Sequence, residues 1–331
     1  MQYAGLDHFV GNTPLVRLQH LSDLTGCEIL GKAEFMNPGG SVKDRAAWGI
    51  ITQAAAQGLL KPGQTIVEGT AGNTGIGLTV VGRARGHDTV IVIPENQSPE
   101  KIRILETLGA TVRKVPVKPY SDPANYNHIA RDLAAENGWF WANQFDNTAN
   151  GDAHFQTTGP EIWGQTRGRL DAFIASVGTG GTLVGTSRYL KSRDPRIAAV
   201  CADPYGAAIW SWFTQGNLDQ DDGDSFAEGI GQSRVTGNLA GFQADAAYRI
   251  GDQAALTIIH QLLGEGLCLG LSSGINIGGA VRHALALGPG HTIVTILCDS
   301  GLKYESKIYN PRWLEEQRFQ MDLPLESVLV P

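Results

Sequence analysis

Short apolar runs of strand length alternate along this chain with segments of helical periodicity, and most junctions between them are rich in glycine. The run T-V-I-V-I-P at 89–94 has no polar face, as expected of a strand covered on both sides. Further strand candidates lie at 28–33, 65–68, 111–115, 139–143, 172–177, 198–202 and 292–298. Between them the apolar spacing predicts helices at 46–57, 74–86, 99–108, 125–137, 181–191, 254–265 and 278–287. Parallel strands need crossovers of about a dozen residues, usually helices, so the alternation implies an α/β chain with mostly parallel sheets. The rhythm breaks near 145–155 and then resumes, which predicts two such domains. In sheets of this kind ligands bind at the carboxyl ends of the strands, where the glycine-rich loops fall.

Composition narrows the possibilities. Glycine accounts for 42 of 331 residues without a collagen-like period, so its use is local: tight turns, and loops that let a ligand approach the backbone. The formal net charge of −7 argues against nucleic-acid and anionic-membrane partners, which are recognised by basic patches. Cys27, Cys201, Cys268 and Cys298 form no CxxC pair, and three of them sit in apolar runs, so they read as buried thiols of a reducing compartment. No apolar stretch of about 18 residues is present. Residues 1–10 lack the basic and apolar regions of a signal peptide. These features predict a cytoplasmic protein in which the N-Q-S sequon at 96–98 is accidental. The acidic run D-Q-D-D-G-D-S at 219–225 reads as a solvated loop.

Four loops carry residues of chemical interest. In N-P-G-G-S-V-K-D-R (37–45) a lysine precedes a helix; burial and the positive helix end both lower an amine's pKa and make it a nucleophile for a carbonyl. In E-G-T-A-G-N-T-G-I-G (68–77) backbone N–H groups and two threonine hydroxyls can cradle an anion at a helix start. V-G-T-G-G-T (177–182) can form a nest of N–H groups for a phosphate. A dinucleotide reading of that loop takes Asp203 as the ribose acid, yet the sixth position from Gly178 is Leu183, where glycine or alanine is needed. G-L-S-S-G (270–274) matches the GxSxG pattern of a hydrolase nucleophile. No acid lies between Ser272 and His291 and no histidine follows Asp299, so that triad cannot be filled. No HExxH occurs, His154 reads as structural, and no metal site is expected; Trp210, Trp212 and Phe213 read as core or interface.

In this order and spacing the four loops resemble the fold-type II pyridoxal-phosphate enzymes. G-N-T-P-L-V (11–16) and T-T-G-P-E-I (157–162) bring the resemblance closer to the cysteine synthase (O-acetylserine sulfhydrylase) family, over roughly residues 9–310. The resemblance implies a tryptophan synthase β-like fold: two domains, each a twisted, mostly parallel sheet flanked by helices. A smaller mobile domain would span 42–153, and a larger one 1–41 plus 154–331. The implied cofactor is pyridoxal 5′-phosphate, held covalently by Lys43. Asn73 matches the partner of its ring hydroxyl oxygen, and Gly178, Thr179, Gly180, Gly181 and Thr182 match the phosphate loop. Ser272, beside a second serine at Ser273, matches the residue facing the pyridine nitrogen. Thr70, Gly72, Asn73, Thr74 and Gln144 match the residues that grip a substrate carboxylate. A neutral serine at the ring nitrogen weakens the ring as an electron sink and suits β-elimination and β-replacement over transamination. Lys43, freed by the substrate, would act as general base at Cα.

The implied function is L-cysteine synthesis from O-acetyl-L-serine and sulfide through an aminoacrylate. Breakdown of L-cysteine to sulfide, pyruvate and ammonia needs the same chemistry, and a cystathionine β-synthase-like activity is related. A nicotinamide (NAD) dehydrogenase is the alternative outside the family. A homodimer is expected, as is common in the family, without the haem-binding or regulatory extension of a regulated cystathionine β-synthase. Three departures bear on the substrate: Ala71 where serine is usual, the Gly39-Gly40 and Asp44 form of the lysine loop, and Cys298-Asp299-Ser300-Gly301 in place of Pro-Ser-Ser-Gly. The last puts an acid near the ring end of the cofactor.

Overall fold

The computed structural model describes residues 5–325, so residues 1–4 of the opening segment lie outside it. Two sheets organise the chain. The larger contains β1 (Leu15–Arg17), β2 (Glu28–Ala33), β7 (Ala172–Ala175), β8 (Ala198–Pro204), β9 (Ala246–Ile250) and β10 (Thr292–Leu297), in the order β1–β2–β10–β7–β8–β9. Only the β1–β2 pair is antiparallel. The smaller sheet contains β3 (Ile66–Gly69), β4 (Thr89–Pro94), β5 (Thr111–Val115) and β6 (Phe140–Trp141), all parallel, in the order β5–β4–β3–β6.

The unbroken apolar runs follow from helices on both faces. Along β10 and its extension, Ile293 and Leu297 join one buried cluster while Val294, Ile296 and Cys298 join the other. Side chains alternate with period two, so a strand covered twice needs apolar residues at every position. The one polar interruption, Thr295, is buried and satisfied: its hydroxyl donates to Ile174 O at 2.9 Å. The smaller sheet repeats the pattern, with Ile66 in one cluster and Val67 in another.

Two helix starts differ from the sequence reading in ways that matter. The helix predicted at 46–57 is Lys43–Ala56, so the lysine is its first residue. The helix predicted at 278–287 is Leu271–Leu287, about two turns longer at the start than glycine content suggests. Its glycines are contact points: a Cβ on Gly274 would lie 2.4 Å from Ala255 O, and one on Gly279 2.6 Å from Ala202 Cβ. Close packing against the neighbouring helix and β8 thus explains residues that read as a loop signal. The acidic run at 219–225 is anchored as well as wet, because Asp221 accepts from Gly206 N at 2.6 Å and pairs with Arg249 at 3.1 Å. All four cysteines are free thiols, and Cys27, Cys201 and Cys298 are buried. Among the described residues no helix is long and apolar enough to cross a membrane.

Candidate active site

The carboxyl ends of β3, β7 and β10 converge on one cavity. Lys43 is brought there by main-chain contacts: Ser41 bridges Asp299 in antiparallel fashion, and Val42 N donates to Cys298 O at 2.9 Å. The lysine helix is pinned from behind by a buried ion network. Arg45 meets Glu34 at 2.7 Å and Glu161 at 2.7 Å, and Lys32 meets Glu161 at 2.6 Å. Thr13 Oγ1 donates to Glu34, and Asn37 accepts from Gly11 N while donating to Glu34. Burial opposes the charge of Glu34, but the Arg45 guanidinium and these hydroxyl contacts hold it down to about 2. The G-N-T-P, N-P-G-G and T-T-G-P-E-I segments are therefore parts of one support. Lys43 Nζ itself makes no hydrogen bond or ion pair among the described residues. Burial pushes its amine below the ordinary lysine range; the nearby Cys298 and Asp299 oppose this and the Lys101 charge adds to it.

On one side of Lys43 the cavity has a volume of about 170 Å³ and is lined by Thr70–Thr74 and Gln144. Gly72 takes φ +127, which only glycine adopts without strain, and Gly72 N donates to Thr70 Oγ1 at 3.1 Å. Gln144 is tied to the same loop: Oε1 accepts from Thr74 Oγ1 at 2.5 Å and Nε2 donates to Gly69 O at 3.1 Å. Ala71 leaves this loop without the hydroxyl that a serine would add. Below it, Glu68 is buried with no completed hydrogen bond, and burial pushes its carboxyl up to about 8 against the nearby main chain of Gln144 and Asn143.

On the other side lies a narrower lobe lined by Gly178, Thr179, Gly180 and Thr182 with Ser176 and Asn276. Gly180 takes φ +88 as N-cap of the helix Gly181–Arg193, which sets the positive helix end at the lobe. The loop is braced from outside. Asn150 Nδ2 donates to Thr179 Oγ1 at 2.8 Å, Thr236 Oγ1 donates to Thr179 O at 2.7 Å, and Thr182 Oγ1 lies 3.2 Å from His154 Nε2. The other His154 nitrogen lies 2.8 Å from Thr158 Oγ1. Burial, then the Arg45 charge, push His154 down to about 3, so it is a neutral brace.

The remaining site residues close the ring between the lobes. Ser272 lines the cavity, whereas the Ser273 hydroxyl is turned away and accepts from Cys298 N at 2.8 Å. Asn73 lines the cavity too, its amide held by Asp299 and Lys303. Asp203 is not part of the site: it caps the Ile209–Gln215 helix by accepting from Trp210 N at 2.8 Å, which removes the acid that the dehydrogenase alternative needs.

Comparison with known proteins gives the same direction. A family model described as pyridoxal-phosphate dependent enzyme matches residues 6–299. The chain belongs to this pyridoxal-phosphate dependent family. Among its curated relatives, cysteine synthase 1 of Neurospora crassa is 49% identical over 97% of this chain and 87% of its own length. Cysteine synthase 1 of Emericella nidulans is 48% identical over 98% and 90%. The cysteine synthase of Dictyostelium discoideum is 45% identical over 96% and 87%. Among solved structures, an O-ureido-L-serine synthase superposes with a TM-score of 0.85 at 33% identity, covering 94% of this chain and 96% of its own. A mutant of an O-ureido-L-serine synthase bound to O-ureido-L-serine gives 0.84 at 32% identity, covering 97% and 100%.

The family's cofactor is pyridoxal 5′-phosphate, and the residues present fit it. An amine without a partner among the described residues stands where the two lobes meet, with a glycine loop at a helix start on one side. The main chain closes in around that amine: a Cβ on Gly178 would lie 2.1 Å from Gly229 O and 3.6 Å from Lys43 Nζ. The sequence reading missed part of the wall. Glu228 lines the cavity and is held by Lys101 at 2.8 Å and Lys307 at 2.7 Å. The E-G-I-G spacing, with Gly229 and Gly231 at φ +81 and +82, was the available signal for this segment. Lys101, 1% exposed and 4.3 Å over the Tyr304 ring, looks like any helix-surface lysine in sequence.

Proposed function

We propose that the protein makes L-cysteine from O-acetyl-L-serine and sulfide. The observation that carries this reading is the half-buried Lys43 amine, without a partner among the described residues, between the Thr70–Thr74 loop and the glycine loop at a helix start. The near full-length similarity to cysteine synthases supports it. Bound pyridoxal phosphate supplies the electron sink for cleaving bonds at the amino-acid Cα and Cβ. The protein supplies the rest. Lys43 would hold the cofactor and serve as the base for the Cα proton of bound substrate, a role that the lowering of its pKa by burial favours. Thr70, Gly72, Asn73 and Thr74 offer donors to the substrate carboxylate, with Gln144 fixing the Thr74 hydroxyl. Gly178–Thr182 take the phosphate and Ser272 faces the ring nitrogen. We assign residues 42–153, which carry the smaller sheet, as the unit that closes over substrate and excludes water. The four free thiols fit a reducing cytoplasm, and we read the assembly as a homodimer. The test is to incubate the holoenzyme with O-acetylserine and sulfide, and separately with L-cysteine. Cysteine formation should far exceed pyruvate release; the reverse ratio assigns a desulfhydrase, and neither product rejects the reading.

A further inference from the structure

We propose that Lys303 and Asp299 are positioning residues that lock the Asn73 amide in one orientation and set the hydrogen bond it offers to the cofactor's ring oxygen. This rests on the reading that Asn73 faces that oxygen. Asn73 Oδ1 accepts from Lys303 Nζ at 3.0 Å, and Asn73 Nδ2 donates to Asp299 Oδ2 at 2.7 Å. The other two Lys303 hydrogens go to Gly39 O and Gly40 O, each at 3.0 Å, so the ammonium has no donor to spare. Tyr304 OH donates to the same Asp299 oxygen at 2.7 Å. Lys303, Asp299 and Tyr304 are 6%, 0% and 3% exposed, so water does not compete for these bonds. The clasp joins three separate pieces of chain: the loop before Lys43, the first residue of the Asn73 helix, and the segment after β10.

The charges make the orientation one-sided. The amide oxygen faces a cation and its nitrogen faces an anion. A flipped amide would set oxygen against carboxylate and N–H against ammonium. One amide hydrogen is committed to Asp299, and the other remains for the cavity. The ammonium on Oδ1 draws electron density through the amide and makes that remaining N–H a stronger donor. A positive Lys303 also favours a negative ring oxygen, whereas Asp299 opposes one. The two residues therefore act with opposite sign on the same cofactor atom. Other charged or titratable groups near the clasp are Asp44 on the lysine helix, Lys101 over Tyr304, and Lys43 and Cys298 across the cavity.

The test compares holoenzymes carrying Lys303→Met, Asp299→Asn, Tyr304→Phe and Asn73→Ala. The readouts are the pH at which the visible band of the bound cofactor titrates, and cofactor affinity measured on the apoprotein. Loss of the cation should raise that pH and loss of the anion should lower it, each by about one unit, a tenfold change in the proton equilibrium. Tyr304→Phe removes only a hydroxyl that tempers Asp299, and should give a smaller upward shift. In an Asn73→Ala background the Lys303→Met shift should fall below half. If Lys303→Met does not fold, Lys303→Gln is read in its place; if Asp299→Asn does not fold, Tyr304→Phe is read for its own upward shift, and a downward shift or none there overturns the inference. Shifts of the same sign for cation and anion loss, or none, overturn the inference. So does an undiminished Lys303→Met shift in the Asn73→Ala background. An Asn73→Ala enzyme with unchanged band and cofactor affinity overturns the underlying reading of Asn73 instead.

Discussion

The two ends of the cavity are built by opposite means. The phosphate end is built on main chain: Gly178 and Gly180 line the lobe at a helix start, and the side chains around them brace the loop. The lysine and substrate end is side chain: Arg45, Glu34, Asn73, Lys303, Asp299 and Gln144 hold one another through charge and hydrogen bonds. A main-chain cradle is intolerant of added atoms and indifferent to pH. A side-chain scaffold tolerates changes of shape better than changes of charge, and it feels pH.

Four changes sharpen or break that comparison. The largest effect is expected at the foundation of the side-chain end. Arg45→Met leaves Glu34 charged, buried and unpaired, and should cost about 3–5 kcal/mol of folding stability, read by denaturant unfolding. A loss below about 1 kcal/mol would mean that the helix start, not the ion network, places Lys43. Next is Gly178→Ala. Its Cβ would strike a main-chain carbonyl rather than a flexible side chain, so the loop must shift by a misfit worth about 3 kcal/mol, roughly a hundredfold in cofactor affinity. Unaltered cofactor binding would show that the nest adapts, against the rigid main-chain picture.

Gln144→Ala comes third. It removes the second Gln144 Nε2 hydrogen, the one not given to Gly69 O, which is the donor Gln144 can offer a substrate carboxylate; a lost contact to a charged group is worth about 1.5–3 kcal/mol, or roughly ten- to more than a hundredfold in kcat/KM. Cofactor content should stay intact, since Gln144 lies outside the phosphate lobe; loss of cofactor would merge the two ends into one unit. The smallest effect is Glu68→Gln. The carboxyl titrates near 8 when folded and near its ordinary value of 4.5 when unfolded. A raised carboxyl pKa contributes stability that is fully present below 4.5 and is lost as pH rises through 8. Glutamine carries no such loss. The variant should therefore gain on the parent as pH rises between those values, with a constant gap above. Melting curves that stay parallel across this range would place a cation beside Glu68.

Much of the site was legible because its parts are local in sequence. V-G-T-G-G-T after a strand and N-P-G-G-S-V-K before a helix carry their own backbone geometry, and the structure puts both on one cavity. The strands at 28–33, 89–94 and 111–115 appear where apolar runs predicted them. Gly274 misled because close helix packing and a loop make the same demand on a residue, the absence of Cβ. Glu228 and Lys101 were invisible because they meet across 127 residues. Nothing in either local pattern says that the other will be there.

The sequence by itself determined what short-range sterics and periodicity can encode: the alternation of strands and helices, the doubly covered sheets, the glycine turns and the lysine at a helix start. Only the tertiary structure decided which charges meet. Asn73 and Asp299 lie 226 residues apart, Lys303 and Gly39 lie 264, and Arg45 and Glu161 lie 116. A buried ion is stable only beside its partner, and the partner is supplied by packing of distant segments rather than by neighbours in the chain. That is why the cofactor end could be read from its glycines, while the electrostatic setting of Lys43 and Asn73 emerged only when both sheets were in place.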